Sequence, residues 1–332
     1  MPNSGTVTLA EIGTMNRTKI ALLTGLLVAC GAVQAETPDD KYPESLLYDK
    51  PVQVSDSVWS AIGQLKFYTY ENAGHNNNLS FVIGDESVLV VNGSSAYLLA
   101  KALHDEIKKL TNLPVKYVVD ENGQTHASGG NNYWKEQGAT IIAHTDAAEE
   151  IETRGPQGLE RLNEILKERV AGSEIIPIDQ TFDESLTLDL GGLSVELLHL
   201  GPAHSPGDIS VHIPSENVVI AGDIAFHQRM LPVFPETNTA DWLQTWTDAF
   251  APLAQDAIIV PGHGDPTDFE QVDTYTRGYL EFLRGKVAEL LDEGGTLADA
   301  YNIEQAAYMH LETADELAGK NAGRIFEAME WE

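Results

Sequence analysis

Gly201-Pro-Ala-His204-Ser-Pro-Gly-Asp208, Ile220-Ala-Gly-Asp223 and Val260-Pro-Gly-His263-Gly264 are the stretches that decide the fold. Each follows a run of aliphatic and β-branched residues (193–200, 218–220 and 257–260) of the length expected for a buried strand. His204, Asp223 and His263 therefore stand just past the C-terminal ends of strands, in loops stiffened by Gly and Pro. Such loops bring residues distant in sequence into one cavity. Imidazole and carboxylate together suit Zn²⁺ and similar ions. One loop histidine is ordinarily structural; three candidate ligands at corresponding places point to a metal site.

Upstream, the chain reads Asp120-Glu-Asn122-Gly-Gln124-Thr-His126-Ala127-Ser-Gly129-Gly-Asn131-Asn-Tyr-Trp134. With the three later stretches, and with Phe81-Val-Ile-Gly-Asp85 leading to Val90-Val-Asn92-Gly93, it resembles the metallo-β-lactamase-fold superfamily over about residues 50–268. The resemblance implies an α/β fold, a four-layer αββα sandwich with the site along one edge of its two sheets. It casts His204 as the third ligand of a first metal, Asp223 as the bridging or second-metal carboxylate and His263 as a second-metal ligand.

The family carries His-x-His-x-Asp-His before Gly-Gly-Asn. Aligned without a gap, this chain has Asn122 and Gln124 at the two leading His positions, His126 at the Asp position and Ala127 at the last His. Asn92 stands where the family usually has Asp. A one-residue slide would put His126 on the last His instead, but the ungapped alignment keeps Val118-Val119 and Gly129-Gly-Asn131 in register. Amides are poor zinc ligands and Ala127 offers none. A standard two-metal centre is therefore not expected. The expectation is one Zn²⁺ held by His126, Asp223 and His263, with His204 as fourth ligand or supporting group.

The function expected from this resemblance is an exported metal-dependent hydrolase acting on an ester, thioester, lactone or β-lactam small molecule. His126 and Asp223 are its catalytic candidates, and Asn122 and Gln124 are hydrogen-bond donors to a substrate oxygen. His75, His227 and Arg229 are candidates for substrate binding. The alternative is a non-catalytic protein of the same fold that binds no metal and serves as a binding or scaffold protein.

The chain has 332 residues, 42% hydrophobic, with a formal net charge of -31. That length can bury a large core, and so acidic a surface excludes nucleic acid as a natural partner. Arg17 and Lys19 precede an apolar run over residues 20–28 and then small residues, the pattern of an export signal that starts at Met15. Val33-Gln34-Ala35 fits a cleavage site, which would yield a free periplasmic protein. Leu27-Val28-Ala29-Cys30 fits a lipidation site, which would yield a membrane-anchored lipoprotein. Cys30 is the only cysteine, so no internal disulfide is expected. Residues 1–35 thus read as an export region, 45–268 as the metallo-β-lactamase-fold domain and 269–332 as a C-terminal helical extension. Within the domain, strands are predicted over 52–57 and 62–70, and within the extension helices over 269–291, 298–310 and 314–329.

Overall fold

The structure, a computed structural model, describes residues 46–332. The export signal, Met15 and Cys30 lie outside the described residues.

Among the described residues, one sheet has seven strands in chain order: β1 (Val52–Gln53), β2 (Val58–Ala61), β3 (Leu79–Ile83), β4 (Val88–Val91), β5 (Val115–Asp120), β6 (Thr140–His144) and β7 (Gln180–Phe182). Pairing is antiparallel from β1 to β4 and parallel from β4 to β7. The second sheet contains β8 (Ser185–Asp189), β9 (Ser194–Leu198), β10 (Ser210–Ile213), β11 (Val218–Phe226) and β12 (Ile258–His263), ordered β12-β11-β10-β9-β8. Only β11 and β12 run parallel there.

Side-chain alternation explains the layering. In β4, Val88 and Val90 point to one face while Leu89 and Val91 point to the other; in β11, Val218 and Ile220 oppose Val219 and Ala221. Both faces are apolar, so each sheet must be covered twice. Leu89, Val91 and Val119 meet Val195, Leu197, Val211 and Val260 between the sheets. The outer face of the first sheet packs on α1 (Tyr97–Leu110), α3 (Asn131–Glu136) and α4 (Thr145–Leu166), with α2 (Thr125–Ser128) a single turn between β5 and α3. The outer face of the second packs on three further helices. They are α5 (Thr239–Thr245, extended by the π-turn Trp246–Phe250 and Ala251–Ala254), α6 (Phe269–Val272, extended through Asp273–Arg277 to Gly278–Asp292) and α8 (Ala314–Met329). The result is the αββα sandwich implied by the resemblance. Leu280, Leu283, Ile325 and Phe326 share one core with Trp242, Trp246 and Ile259, so the C-terminal helices belong to the fourth layer.

Three local expectations differ. Residues 62–70 alternate like a strand yet form none. They have no ladder partner, and the Asn72 side chain instead bonds Thr69 N, Phe67 O and Gln64; β propensity without a neighbouring strand fixes nothing. The strand expected over 52–57 is only Val52–Gln53, and pairing resumes at Val58. The helix expected over 298–310 is one capped turn, α7 (Leu297–Ala300). Beyond it, the Gln305 side chain bonds the Tyr279 hydroxyl and the Ala318 carbonyl, and this tethers the segment to its neighbours.

One tether bears on the site. Residue 312 pairs with the loop after β11, with Met230 N donating to Glu312 O and Glu312 N donating to Gln228 O, both at 2.9 Å. In α8, Asn321 accepts from Val233 N and donates to Leu231 O.

Candidate metal centre

The site forms where β5, β11, β12 and the loop after β9 end together. β5 delivers Asp120, whose carboxylate accepts from Asn131 Nδ2 at 2.6 Å. Glu121 and Asn122 follow, and Asn122 Oδ1 accepts from Gln124 N at 3.0 Å, turning the chain into α2, which carries His126. β11 kinks at Gly222, in the left-handed region at φ +64°, and presents Asp223. His263 closes β12, its loop bracketed by Asn78, which donates to the carbonyls of Pro261 and Gly264. The loop carrying His204 is locked by Asp208, which accepts from Ser205 N and Ser205 Oγ.

Glu121, Asn122, His126, His204, Asp223, His263 and Arg229 are all buried. Asp223 is the hub. Its Oδ1 lies 3.4 Å from His263 Nε2, and its Oδ2 lies 3.7 Å from His126 Nε2, 3.8 Å from His204 Nδ1 and 3.5 Å from Asn122 Nδ2. Gln124 Nε2 donates to His204 Nδ1 at 3.0 Å. His263 Nδ1 lies close to both the Asn76 carbonyl and Arg229 Nη1. The carbonyl calls for a proton on Nδ1 and the guanidinium for a lone pair there, while Nε2 faces Asp223 Oδ1. Neither Asp223 Oδ1 nor His204 Nε2 has a hydrogen-bond partner.

Burial sets the charges. It pushes the carboxyls of Asp120, Glu121 and Asp223 each up to about 7. It pulls His204 down to about 3, helped by the neighbouring His126 and Arg229, and His263 well below the usual histidine range. His126 is lowered by the same burial, against the pull of Asp223. Each of these acids and bases is moved toward its neutral form, as expected where charges are desolvated without enough counter-charge.

The donor set fits a metal ion. Asp223 Oδ1 and His263 Nε2 face each other 3.4 Å apart, and carboxylate oxygen with imidazole nitrogen is ordinary chemistry for Zn²⁺. Donors bound to one tetrahedral ion at about 2.0–2.1 Å stand roughly 3.3 Å apart; His263 Nε2 stands 3.4 Å from Asp223 Oδ1, and His126 Nε2 stands 3.7 Å from the other carboxylate oxygen.

A profile of the metallo-beta-lactamase superfamily matches residues 76–263 of this chain, across β3 to β12. The chain belongs to the metallo-beta-lactamase superfamily. The metallo-beta-lactamase type 2 of Bacteroides fragilis is 24% identical to it over 229 residues, 68% of this chain and 86% of that protein. A hydroxyacylglutathione hydrolase of Haemophilus influenzae, GloC, is 33% identical over 89 residues, 26% of this chain and 42% of that protein. Among solved structures, a metallo-beta-lactamase from Pontibacter korlensis superposes with a TM-score of 0.55 at 17% identity, covering 70% of this chain and 98% of that one. Superfamily members typically bind zinc.

Of the sequence candidates, the structure brings together Asn122, Gln124, His126, His204, Asp223, His263 and Arg229. The Arg229 guanidinium also lies over the Phe67 ring, 5.1 Å from its centroid. His75 is not among them. Its Nδ1 accepts from Tyr48 N at 2.8 Å and its Nε2 meets the Ala61 carbonyl at 3.2 Å, so both ring nitrogens are spent on backbone. His227 faces the Asp265 carbonyl at 2.7 Å, outside the Asp223 cluster. Neither is positioned to contact substrate. Asn92 adopts φ +71° and accepts from Glu121 N, a structural role. Sequence reasoning passed over Glu121, which lies 3.2 Å from His126 Nε2 through Oε1. The signal was Gly222: a side chain there would overlap the Glu121 carboxylate.

Proposed function

We propose that this chain is a metal-dependent hydrolase with a single-metal site, acting on a small ester, thioester, lactone or β-lactam. The observation that carries the reading is the facing pair of Asp223 Oδ1 and His263 Nε2, with His126 Nε2 on the other carboxylate oxygen. Zn²⁺ bound by His126, Asp223 and His263 supplies Lewis acidity and lowers the pKa of water toward neutrality.

The chain's own groups do the rest. Asn122 Nδ2 and Gln124 Nε2 are fixed donors on the side where the family holds its first metal, and they suit a carbonyl oxygen that gains charge as it is attacked. His204 is taken up by Gln124 and supports that donor. Arg229 adds buried positive charge beside His263. Phe67, stacked under Arg229, and Phe234, edge-on to His204 at 5.0 Å, are both exposed, and they offer apolar walls to an acyl or ring substituent. The relatives named above as a β-lactamase and a hydroxyacylglutathione hydrolase support cyclic amides and thioesters as the first substrates to try. The export signal read at residues 17–35 supports a periplasmic or membrane-anchored setting, free or held through Cys30.

The test is metal analysis of the purified chain loaded with Zn²⁺, alongside hydrolysis of nitrocefin, a thioester and an acyl lactone. One metal per chain and a turnover lost in Asp223→Ala are expected. Less than a few tenths of a metal per chain would sink the reading in favour of a metal-free binding protein.

A further inference from the structure

We infer that Glu121 is a metal ligand that shares one ion with His126 and Asp223. The inference rests on the single-metal reading above and adds a ligand at a position where the superfamily motif supplies none.

Three observations converge. Donor atoms of Glu121, His126 and Asp223 all lie within 4.8 Å of one another, and all three residues are buried. Glu121 Oε1 stands 3.2 Å from His126 Nε2, the spacing of two donors on one small ion. Asp223 Oδ1, in a side chain only 2% exposed, has no hydrogen-bond partner. The competing role for Glu121 is to orient His126 from behind, as carboxylates do for many metal-bound histidines. That role needs Glu121 on the ring nitrogen turned away from the metal. Here the same Nε2 faces both Glu121 and Asp223, so the two carboxylates flank one side of the ring.

The backbone is shaped for this carboxylate. Gly222 leaves the space that Glu121 fills, and an added methyl would overlap Glu121 Oε2. Asn92 takes the Glu121 backbone N–H at 3.1 Å and Ile209 N donates to the Glu121 carbonyl, so the side chain is aimed from both sides of its own peptide. Two carboxylates also balance a divalent ion without help from solvent. With Glu121 bound, the carboxylate missing from the family's Asp position, now His126, is resupplied from five residues upstream.

The experiment compares the full-length chain with Glu121→Gln, which keeps the shape and a hydrogen bond to His126 but is a poor ligand. Zn²⁺ affinity is measured by chelator competition, and the coordination number by the visible spectrum of the Co²⁺-loaded protein. Glu121→Gln should weaken Zn²⁺ binding by more than the about 10–100-fold that loss of a partner behind the ligand costs, and change the Co²⁺ band positions. Gly222→Ala, which alters no donor, should weaken binding in the same direction. Affinity within threefold of the unaltered chain for Glu121→Gln, with an unchanged spectrum, overturns the assignment and leaves Glu121 as a hydrogen-bond partner. If Glu121→Gln does not fold, the Gly222→Ala result decides by the same threshold. A chain that binds no metal at all overturns the single-metal reading itself; one metal per chain with Glu121→Gln unaffected overturns only this assignment.

Discussion

Gly262→Ala probes the site without removing any donor. Gly262 has ordinary backbone angles, so alanine brings no conformational penalty of its own. Its methyl, however, would overlap Asp223 Oδ1, and it would stand only 3.0 Å from the Gly222 carbonyl carbon and 3.1 Å from Asp223 N. The carboxylate must retreat by about 1 Å to reach normal contact, away from His263 Nε2. Overpacking of this kind costs about 1–3 kcal/mol, offset by about 0.4–1 kcal/mol for the stiffer unfolded chain. The metal-free protein should thus lose about 1–2 kcal/mol. The larger effect lies in the metal-linked part. Free zinc at a thousandfold excess over Kd stabilises the unaltered chain by about 4.1 kcal/mol, and a 100-fold weaker site gains only about 1.4 kcal/mol under the same conditions. Urea unfolding with EDTA and with buffered zinc reads both quantities. Equal zinc-linked stabilisation in the two proteins would refute Asp223 Oδ1 as a ligand atom.

Two further outcomes are expected. Burial lowers the His75 pKa to about 4 from its ordinary 6.5. The unfolded chain therefore takes up a proton between pH 6.5 and 4 that the folded chain refuses, and stability falls as pH falls through that window. Between pH 7 and 5 this costs about 2 kcal/mol, and urea titrations of His75→Gln should lack that part of the slope. Separately, Gln124 already reaches His204 at 3.0 Å, so Asn122→His with Gln124→His gives three imidazoles on the first-metal side. The double variant should raise bound zinc from one toward two per chain by elemental analysis, and an unchanged count would show that side cannot accept an ion.

A layered α/β architecture was legible in strands that alternate with helices, and the αββα sandwich in the family resemblance; the strands then carry two apolar faces. Leu79, Phe81, Val88 and Val90 turn outward to helices while Val82, Leu89 and Val91 turn inward. The strand-end loops were legible because Gly and Pro flank His204, Asp223 and His263. Glu121 was not, since its role depends on a left-handed glycine a hundred residues away and on which His126 nitrogen it meets. His75 misled for the opposite reason: an exposed-looking Gly-His-Asn-Asn-Asn loop is in fact buried, with both His75 ring nitrogens turned to backbone groups. Residues 62–70 show that strand-like composition does not make a strand where the segment pairs with no neighbouring strand.

The pairing of Glu312 with Gln228 and Met230, and of Asn321 with Leu231 and Val233, has a consequence for the order of assembly. The loop bearing Arg229 has its outer support in α8, which leaves the ribosome well after the loop and all the strands. The sheets can pair earlier, from sequence already made, but this wall of the cleft waits until α8 has emerged. Nascent chains of this protein should therefore acquire their β-structure before they acquire a finished site.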